Sequence, residues 1–325
     1  MKKRTLGRNG PELTVVGLGA WSMGGSWKFG WGPVDDKESV RTIHRALGLG
    51  VNWIDTAAVY GLGHSEEVVG QALRGIRDEV FLATKCGMVW DEKGVVTKNL
   101  RPDSIRREVE ASLRRLGTDR IDLYQFHWPD ANTPVEDSWS TMLDLVKEGK
   151  VRTIGVCNFS VAQLEQCCPI AHVQSLQPPY NMLERSCEDD LLPYCAARQI
   201  GVVAYSPMAS GLLTGTFDPA KLAPDDWRAK NSRFSRDRAS QVAGLLTGLR
   251  PMAEQYGVSV GALAVAWVLR SPIVTSAIVG ARKQWQIEEM VGAAQVELSS
   301  SDVWEIESRL KGIGLTPVGI PASRI

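Results

Sequence analysis

Three observations predict an α/β fold of the (β/α)8 barrel type. Eight short apolar runs recur along the chain, each followed by a polar loop and an amphipathic stretch, which is the pattern of βαβ units around a parallel sheet. No Pro/Gly linker, low-complexity tract or short repeat divides the 325 residues, so residues 1–325 read as a single barrel domain. An additional pair of short extended runs at the N-terminus lies outside the eightfold count, and a hairpin there would cap the bottom of the barrel.

That hairpin is Arg4–Leu6 and Glu12–Thr14, flanking the turn sequence Gly7-Arg8-Asn9-Gly10. The candidate barrel strands are Val15–Leu18, Val51–Ile54, Val80–Ala83, Ile121–Phe126, Thr153–Val156, Val173–Leu176, Gly201–Ala204 and Thr275–Val279. Helix starts fall between them. Asp35–Glu38, Thr133–Glu136 and Ser160–Gln163 each fit a capping box, the second with Pro134 in its first turn. Pro102 opens another helix, whose Ile105, Val109, Leu113 and Leu116 repeat at helical spacing. His64 and Ser65 start a further one. After the seventh strand a long loop, about 206–240, is rich in Gly, Pro, Asp, Arg and Ser, and it leaves the barrel end where active sites are built. The segment about 311–325, with Pro317, Gly319 and Pro321, reads as an irregular tail.

Composition narrows the function. With 37 basic and 37 acidic residues the net charge is zero, so neither a nucleic-acid surface nor an anionic-membrane binder is expected. The basic start is followed by turn residues rather than an apolar run, and stretches such as Ala262–Leu269 stop far short of a membrane span, so a soluble, cytoplasmic protein is expected. The six cysteines lack C-x-x-C spacing and the four histidines are scattered, which leaves no metal site in prospect and suits buried free thiols.

Chemistry in such a barrel comes from polar groups that follow the strands. The second strand ends in Asp55-Thr56-Ala57-Ala58-Val59-Tyr60, the third in Thr84-Lys85 and the fourth in His127-Trp128. Each of Asp55, Tyr60, Lys85 and His127 supplies what another lacks. A phenol ionises near 10, and an ammonium about 4 Å away at an effective dielectric near 20 favours its phenolate by roughly 4 kcal/mol, about three pK units. On that reading Lys85 tunes Tyr60 as a general acid, Asp55 keeps Lys85 charged, and His127 hydrogen-bonds a substrate oxygen. The set describes protonation of a carbonyl oxygen. The hydride must come from a bound cofactor, since no side chain here is a redox centre.

The chain resembles the aldo-keto reductase superfamily, most of all its bacterial general-stress-type NADPH-dependent branch. The resemblance rests on Asn52–Gly61, Leu82–Lys85, Gly155–Ser160, Gln177–Asn181, Ala204–Pro207 with Gly211–Gly215, and Val279–Arg282, and covers nearly the whole chain. It implies Tyr60 as acid/base, Lys85 and Asp55 as its tuning pair and His127 on the carbonyl. It also implies NADPH/NADP+ across the barrel mouth, reached by Ala20, Trp21, Asp55, Cys157, Asn158 and Gln177, with Tyr205 stacked on the nicotinamide. Ser206, Pro207, Met208, Ser210, Gly211 and Leu212 would follow the pyrophosphate. Gly280, Ala281, Arg282, Gln286 and Glu289 would take the adenosine end.

Two departures from the family bear on the cofactor: Cys157 stands where Ser is common, and Met290 where an Asn often meets adenine. Arg282, just after the eighth strand, is the candidate partner of a 2′-phosphate, and such a pair would favour NADPH over NADH by roughly ten- to a hundredfold. Gly17-Leu18-Gly19 with Gly24-Gly25 superficially matches a dinucleotide fingerprint, but the eightfold alternation excludes a Rossmann unit there.

Trp21, Trp27, Trp31, Trp90 and Trp128 all follow strands one, three or four. Trp21, Trp90 and Trp128, with Tyr60 and His127, are the candidate substrate wall, suited to apolar or ring-bearing aldehydes and ketones. Two other readings compete: a slowly turning NADPH-binding regulatory subunit, and a cofactor-free phosphosugar isomerase. Whether the chain is a monomer or a homo-oligomer is left open by the sequence.

Overall fold

The structure, a computed structural model, describes residues 1–224 and 226–312. Eight parallel strands close into a barrel in simple sequential order: β1 (Val16–Gly19), β2 (Trp53–Asp55), β3 (Phe81–Cys86), β4 (Ile121–Phe126), β5 (Val151–Cys157), β6 (Ser175–Gln177), β7 (Gly201–Ala204) and β8 (Val274–Gly280). The ring closes where β8 pairs with β1, from Ala277 opposite Val16 to Gly280 opposite Gly19. All eight apolar runs are barrel strands, so the predicted fold class holds.

The N-terminal hairpin, Lys3–Thr5 against Glu12–Thr14, closes the bottom. Leu6 and Leu13 are fully buried with Trp53, Ala83, Leu123, Val203 and Ile278, residues of five different strands. A buried Leu contributes about 1.5–3 kcal/mol, and the Trp53 indole adds no polar penalty because its N–H donates to Thr14 O and Ser276 Oγ. Gly17 makes room for that indole: a Cβ there would lie 2.0 Å from the Trp53 ring. Packing, rather than a phosphate, explains this glycine.

Among the described residues ten α-helices lie outside: α1 (Asp36–Gly48), α2 (His64–Ala72), α3 (Pro102–Leu116), α4 (Val135–Lys147), α5 (Val161–Cys167), α6 (Leu191–Arg198), α7 (Arg236–Gln255), α8 (Val260–Leu269), α9 (Gln284–Val291) and α10 (Ser300–Gly312). Among the described residues no single helix is long and apolar enough to cross a membrane. The most apolar pair, α7 and α8, is bent by 82°, and every residue of α8 after Val260 is buried.

The three capping predictions fare differently. Ser160 forms the full reciprocal box with Gln163 at α5. Asp35 caps α1 through Lys37 N and Glu38 N, while the Glu38 carboxylate turns instead to Arg41. The Thr133 prediction fails. Pro134 occupies the N-cap of α4 with no side-chain bond, and Thr133 Oγ1 donates to Asp130 instead, since Asp130 already organises the β4 loop by accepting from Leu100 N and Asn132 N.

The loop after β7 is shorter than predicted and not shapeless. α7 begins at Arg236, and short 3₁₀ turns cover Ala209–Thr214, where they are broken at Ser210 and Gly211, Pro219–Lys221, Trp227–Lys230 and Ser232–Phe234. A second hairpin, Met88–Trp90 against Val96–Lys98, rises from the end of β3. The predicted tail at about 311–325 falls, beyond Gly312, outside the described residues.

Candidate active site

The C-terminal ends of the strands bring the four proposed catalytic side chains together. Asp55 ends β2, Lys85 lies one residue from the end of β3, and His127 directly follows β4. Tyr60 reaches them from a turn after β2, held against the β1 loop by a glycine pair: Gly61 has φ +62°, and a Cβ on it would lie 1.9 Å from Gly24 O.

Lys85 Nζ donates to Asp55 Oδ1 at 2.6 Å, to Thr56 O at 2.9 Å and to the Tyr60 hydroxyl at 3.1 Å, which exhausts its three hydrogens. The His127 ring meets the Tyr60 ring edge-on at 5.5 Å. Burial alone would strip Lys85 of its proton, but Asp55 and Tyr60 reverse this and the ammonium is held more firmly than in water. Burial, with help from Lys85, pushes His127 well below the usual imidazole range, so it is neutral at pH 7 and carries one N–H to donate.

Tyr60 departs from the sequence reading. Burial raises it to about 12, outweighing the pull of Lys85. An ammonium alone would lower it, but burial outweighs Lys85, and Asp55, 2.6 Å from that ammonium, itself opposes the phenolate.

Two amides floor the mouth. Asn158, at φ +61° after β5, accepts from the Tyr205 hydroxyl at 2.9 Å and donates to His127 O at 2.9 Å. Gln177, at the end of β6 and 3% exposed, donates across the barrel to Asp55 Oδ2 at 2.9 Å. Sequence spacing gave no sign of that bond. Cys157 is buried beside Gln177, and burial pushes its thiol far up.

The remaining predicted cofactor residues divide. Ser206, Ser210 and Gly211 have left-handed backbone, and Ser206 O is fixed by Asn181 Nδ2, so the loop following Tyr205 turns tightly at the rim. Met208 is partly exposed there, whereas Pro207 and Leu212 are buried. Ala20 has both backbone groups engaged, with Asp55 O and Ser65 Oγ, which leaves only its methyl group for a ligand. At the far rim Gly280 is exposed beside buried Ala281. Gln286 Oε1 accepts from Arg282 N and Lys283 N, so it caps α9, with Glu289 one turn further along. Met290 is on the buried face of α9, and its methyl would lie 3.2 Å from a Cβ on Gly261. Arg282 donates to the carbonyls of Trp31 and Pro33, bracing the β1 loop.

Aromatic residues wall the mouth. Trp128 is buried with Ala57, Val59 and Met88, and Trp27, Trp90 and Tyr60 pack on this cluster. Trp27 comes within 6.3 Å of the Tyr60 ring, closer to the chemistry than its position in sequence suggested. Trp90 sits in the second hairpin beneath the Arg115 guanidinium. Trp21 touches Trp31 at 5.6 Å and Trp227 at 6.1 Å. Sequence reasoning missed Trp227, Asp226 and Arg228, which lay in the undivided long loop. Arg228 pairs with Asp226 at 2.7 Å, donates to Ser210 O and lies 4.2 Å over the Trp31 ring. The β1 and β7 loops therefore join over one side of the mouth.

The chain as a whole is similar to known proteins. The model of the aldo/keto reductase family matches residues 15–311. The chain belongs to this family. Among curated proteins, this family member is 39% identical to aldo-keto reductase YhdN of Bacillus subtilis, covering 98% of this chain and 96% of the relative. It is 38% identical to the NADH-specific methylglyoxal reductase of Escherichia coli, covering 93% and 96%. Among solved structures it is similar to the glycerol dehydrogenase AKR11B4 of Gluconobacter oxydans, at TM-score 0.88 and 39% identity over 98% and 97% of the two chains. A Klebsiella pneumoniae aldo-keto reductase in complex with NADPH matches at TM-score 0.74 and 30% identity, over 95% of each chain.

Proposed function

We propose that the protein reduces aldehydes or ketones to alcohols with NADPH, reversibly. The observation that carries this reading is the chain Asp55–Lys85–Tyr60, at 2.6 and 3.1 Å, ending in a phenol at an aromatic-walled mouth. The donor set suits a nicotinamide: the amides of Asn158 and Gln177 suit a carboxamide, and Tyr205 offers a ring face beside them.

NADPH, when bound there, would supply the hydride for the carbonyl carbon. The residues of the chain handle the proton. Tyr60 donates it to the substrate oxygen, and although its pKa is raised to about 12, an alkoxide forming from a carbonyl is more basic than a phenolate, so the transfer runs downhill. The raised value also keeps the phenol protonated across the neutral range, so reduction holds steady with pH and falls only as the phenol ionises. Neutral His127 donates its N–H to the same oxygen. Trp27, Trp90 and Trp128 exclude water from the site.

Preference for the phosphorylated cofactor is assigned to Arg282, whose guanidinium would exchange a backbone carbonyl for the 2′-phosphate. The E. coli relative, NADH-specific by name, makes this the point most in need of measurement. The experiment follows nicotinamide absorbance over a panel of aldehydes and ketones, with NADPH and NADH, for the wild type and Tyr60→Phe. Expected are turnover with at least one carbonyl, roughly tenfold or greater preference for NADPH, and loss of most turnover in the variant with NADPH binding retained. Near-normal turnover in Tyr60→Phe removes the phenol from the mechanism, and equal affinity for the two cofactors removes Arg282.

A further inference from the structure

Asp55 has two carboxylate oxygens and two partners of different kinds. Oδ1 accepts from Lys85, and Oδ2 accepts from Gln177, which reaches it from β6, on the far side of the eight-stranded ring from β2. Both side chains are buried, Asp55 and Gln177 alike at 3% exposure, so the bond is formed out of water where each hydrogen bond counts for more. The bond engages one hydrogen of the Gln177 amide. Among the described residues its Oε1 accepts no hydrogen bond, and it is not fully sealed from solvent.

We propose that Gln177 is a positioning residue that couples whatever occupies the barrel mouth to the proton donor, through the chain Gln177–Asp55–Lys85–Tyr60. The inference rests on the carbonyl-reductase reading and deepens it. An N–H aimed at Oδ2 draws off part of the negative field of Asp55. The Lys85 ammonium is then shared more evenly between Asp55 and Tyr60, which makes the phenolate less costly. A ligand amide that donates to Oε1 polarises the Gln177 N–H and strengthens this effect. By linkage, a cofactor that tightens the chain binds more tightly when the phenol is ionised. The ionisable groups facing Tyr60 are Asp55 from β2, Lys85 from β3, His127 after β4, Cys157 from β5 and Tyr205 after β7. Of these groups, among the described residues, Asp55 alone hydrogen-bonds the Gln177 side chain.

The test compares wild type, Gln177→Met, which keeps the length and removes the donor, and Gln177→Glu. With saturating NADPH and substrate, the alkaline limb of the kcat profile should move upward by about half a pH unit or more in Gln177→Met. In Gln177→Glu the new carboxyl can donate to Asp55 only when protonated, so kcat relative to wild type should recover toward acid pH. NADPH affinity, read by quenching of tryptophan fluorescence and so independent of turnover, should rise as the phenol ionises, between about 10 and about 12, in the wild type and flatten in Gln177→Met. A weakened affinity with an unmoved kcat limb and unchanged pH dependence means that Gln177 serves the ligand alone, and overturns the coupling. If the wild type turns over no carbonyl, the reductase reading fails by itself, and the fluorescence comparison still decides the coupling: parallel pH dependence in wild type and Gln177→Met overturns it.

Discussion

Tyr60 holds its proton more tightly than a tyrosine in water even though an ammonium lies 3.1 Å away, because burial outweighs the net field of a Lys85–Asp55 pair. What distinguishes the residue is therefore its placement, and that placement depends on a contact between two glycines. Gly24 and Gly61 meet backbone to backbone, and a Cβ on Gly61 would require both a left-handed conformation and displacement of the β1 loop. Left-handed backbone costs an alanine roughly 1–2 kcal/mol, and shifts near 1 Å at a reacting group cost on the order of a hundredfold in rate. Gly61→Ala should accordingly lower kcat by about 10- to 100-fold with a smaller effect on cofactor affinity. Steady-state kinetics beside a fluorescence titration checks this, and an unchanged kcat would show that the turn tolerates the shift.

At the scale of elements, the strand that carries Lys85 is fastened from behind. Glu108 on α3 accepts from Gly87 N, just past β3, at 2.9 Å and from Ser104 Oγ at 3.0 Å. Burial raises its carboxyl from about 4.5 to about 7, against the lowering effect of those two bonds. Because the folded value lies above the unfolded one, the folded state binds the proton more tightly. The stabilisation is complete below about 4.5 and is lost as pH rises through about 7. Glu108→Gln should flatten that decline, seen as melting temperatures that vary less between those pH values than in the wild type; parallel curves would place the titration elsewhere. The second hairpin was legible in hindsight. Asp91 Oδ1 accepts from Lys93 N and Val95 N, an Asx turn between two short extended runs, but each run has only three residues and no clear alternation.

For the molecule as a whole, the loops after β1 and β7 are joined by the Trp31–Arg228–Asp226 contact and by Trp21 against Trp227. Joined loops at a barrel mouth slow whatever enters or leaves, and release steps often limit turnover. Arg228→Ala, which removes an ion pair and a cation–π contact, should speed cofactor release by roughly tenfold with little change in the Lys85–Tyr60 chemistry. Stopped-flow displacement measures this directly, and an unaltered off-rate would leave the contact with a purely structural part.

The barrel, its eight strands and the residues of the candidate cluster were legible from the sequence because they depend on local pattern: apolar runs of strand length, helix starts, and polar residues at strand ends. Three matters depended on distance through space. The bond from Gln177 to Asp55 joins residues 122 positions apart from opposite walls. Arg282 proved to brace Trp31 and Pro33, and Arg228 reached across to Trp31, because loops remote in sequence converge on one rim. The ionisation of Tyr60 reversed direction because burial and the Asp55 countercharge are sums over neighbours from several strands. Periodicity records which face each strand buries, so the sequence alone determined the architecture and which polar groups stand at the strand ends. Their electrostatic state, and the contacts that hold them, were decided only when the ring closed.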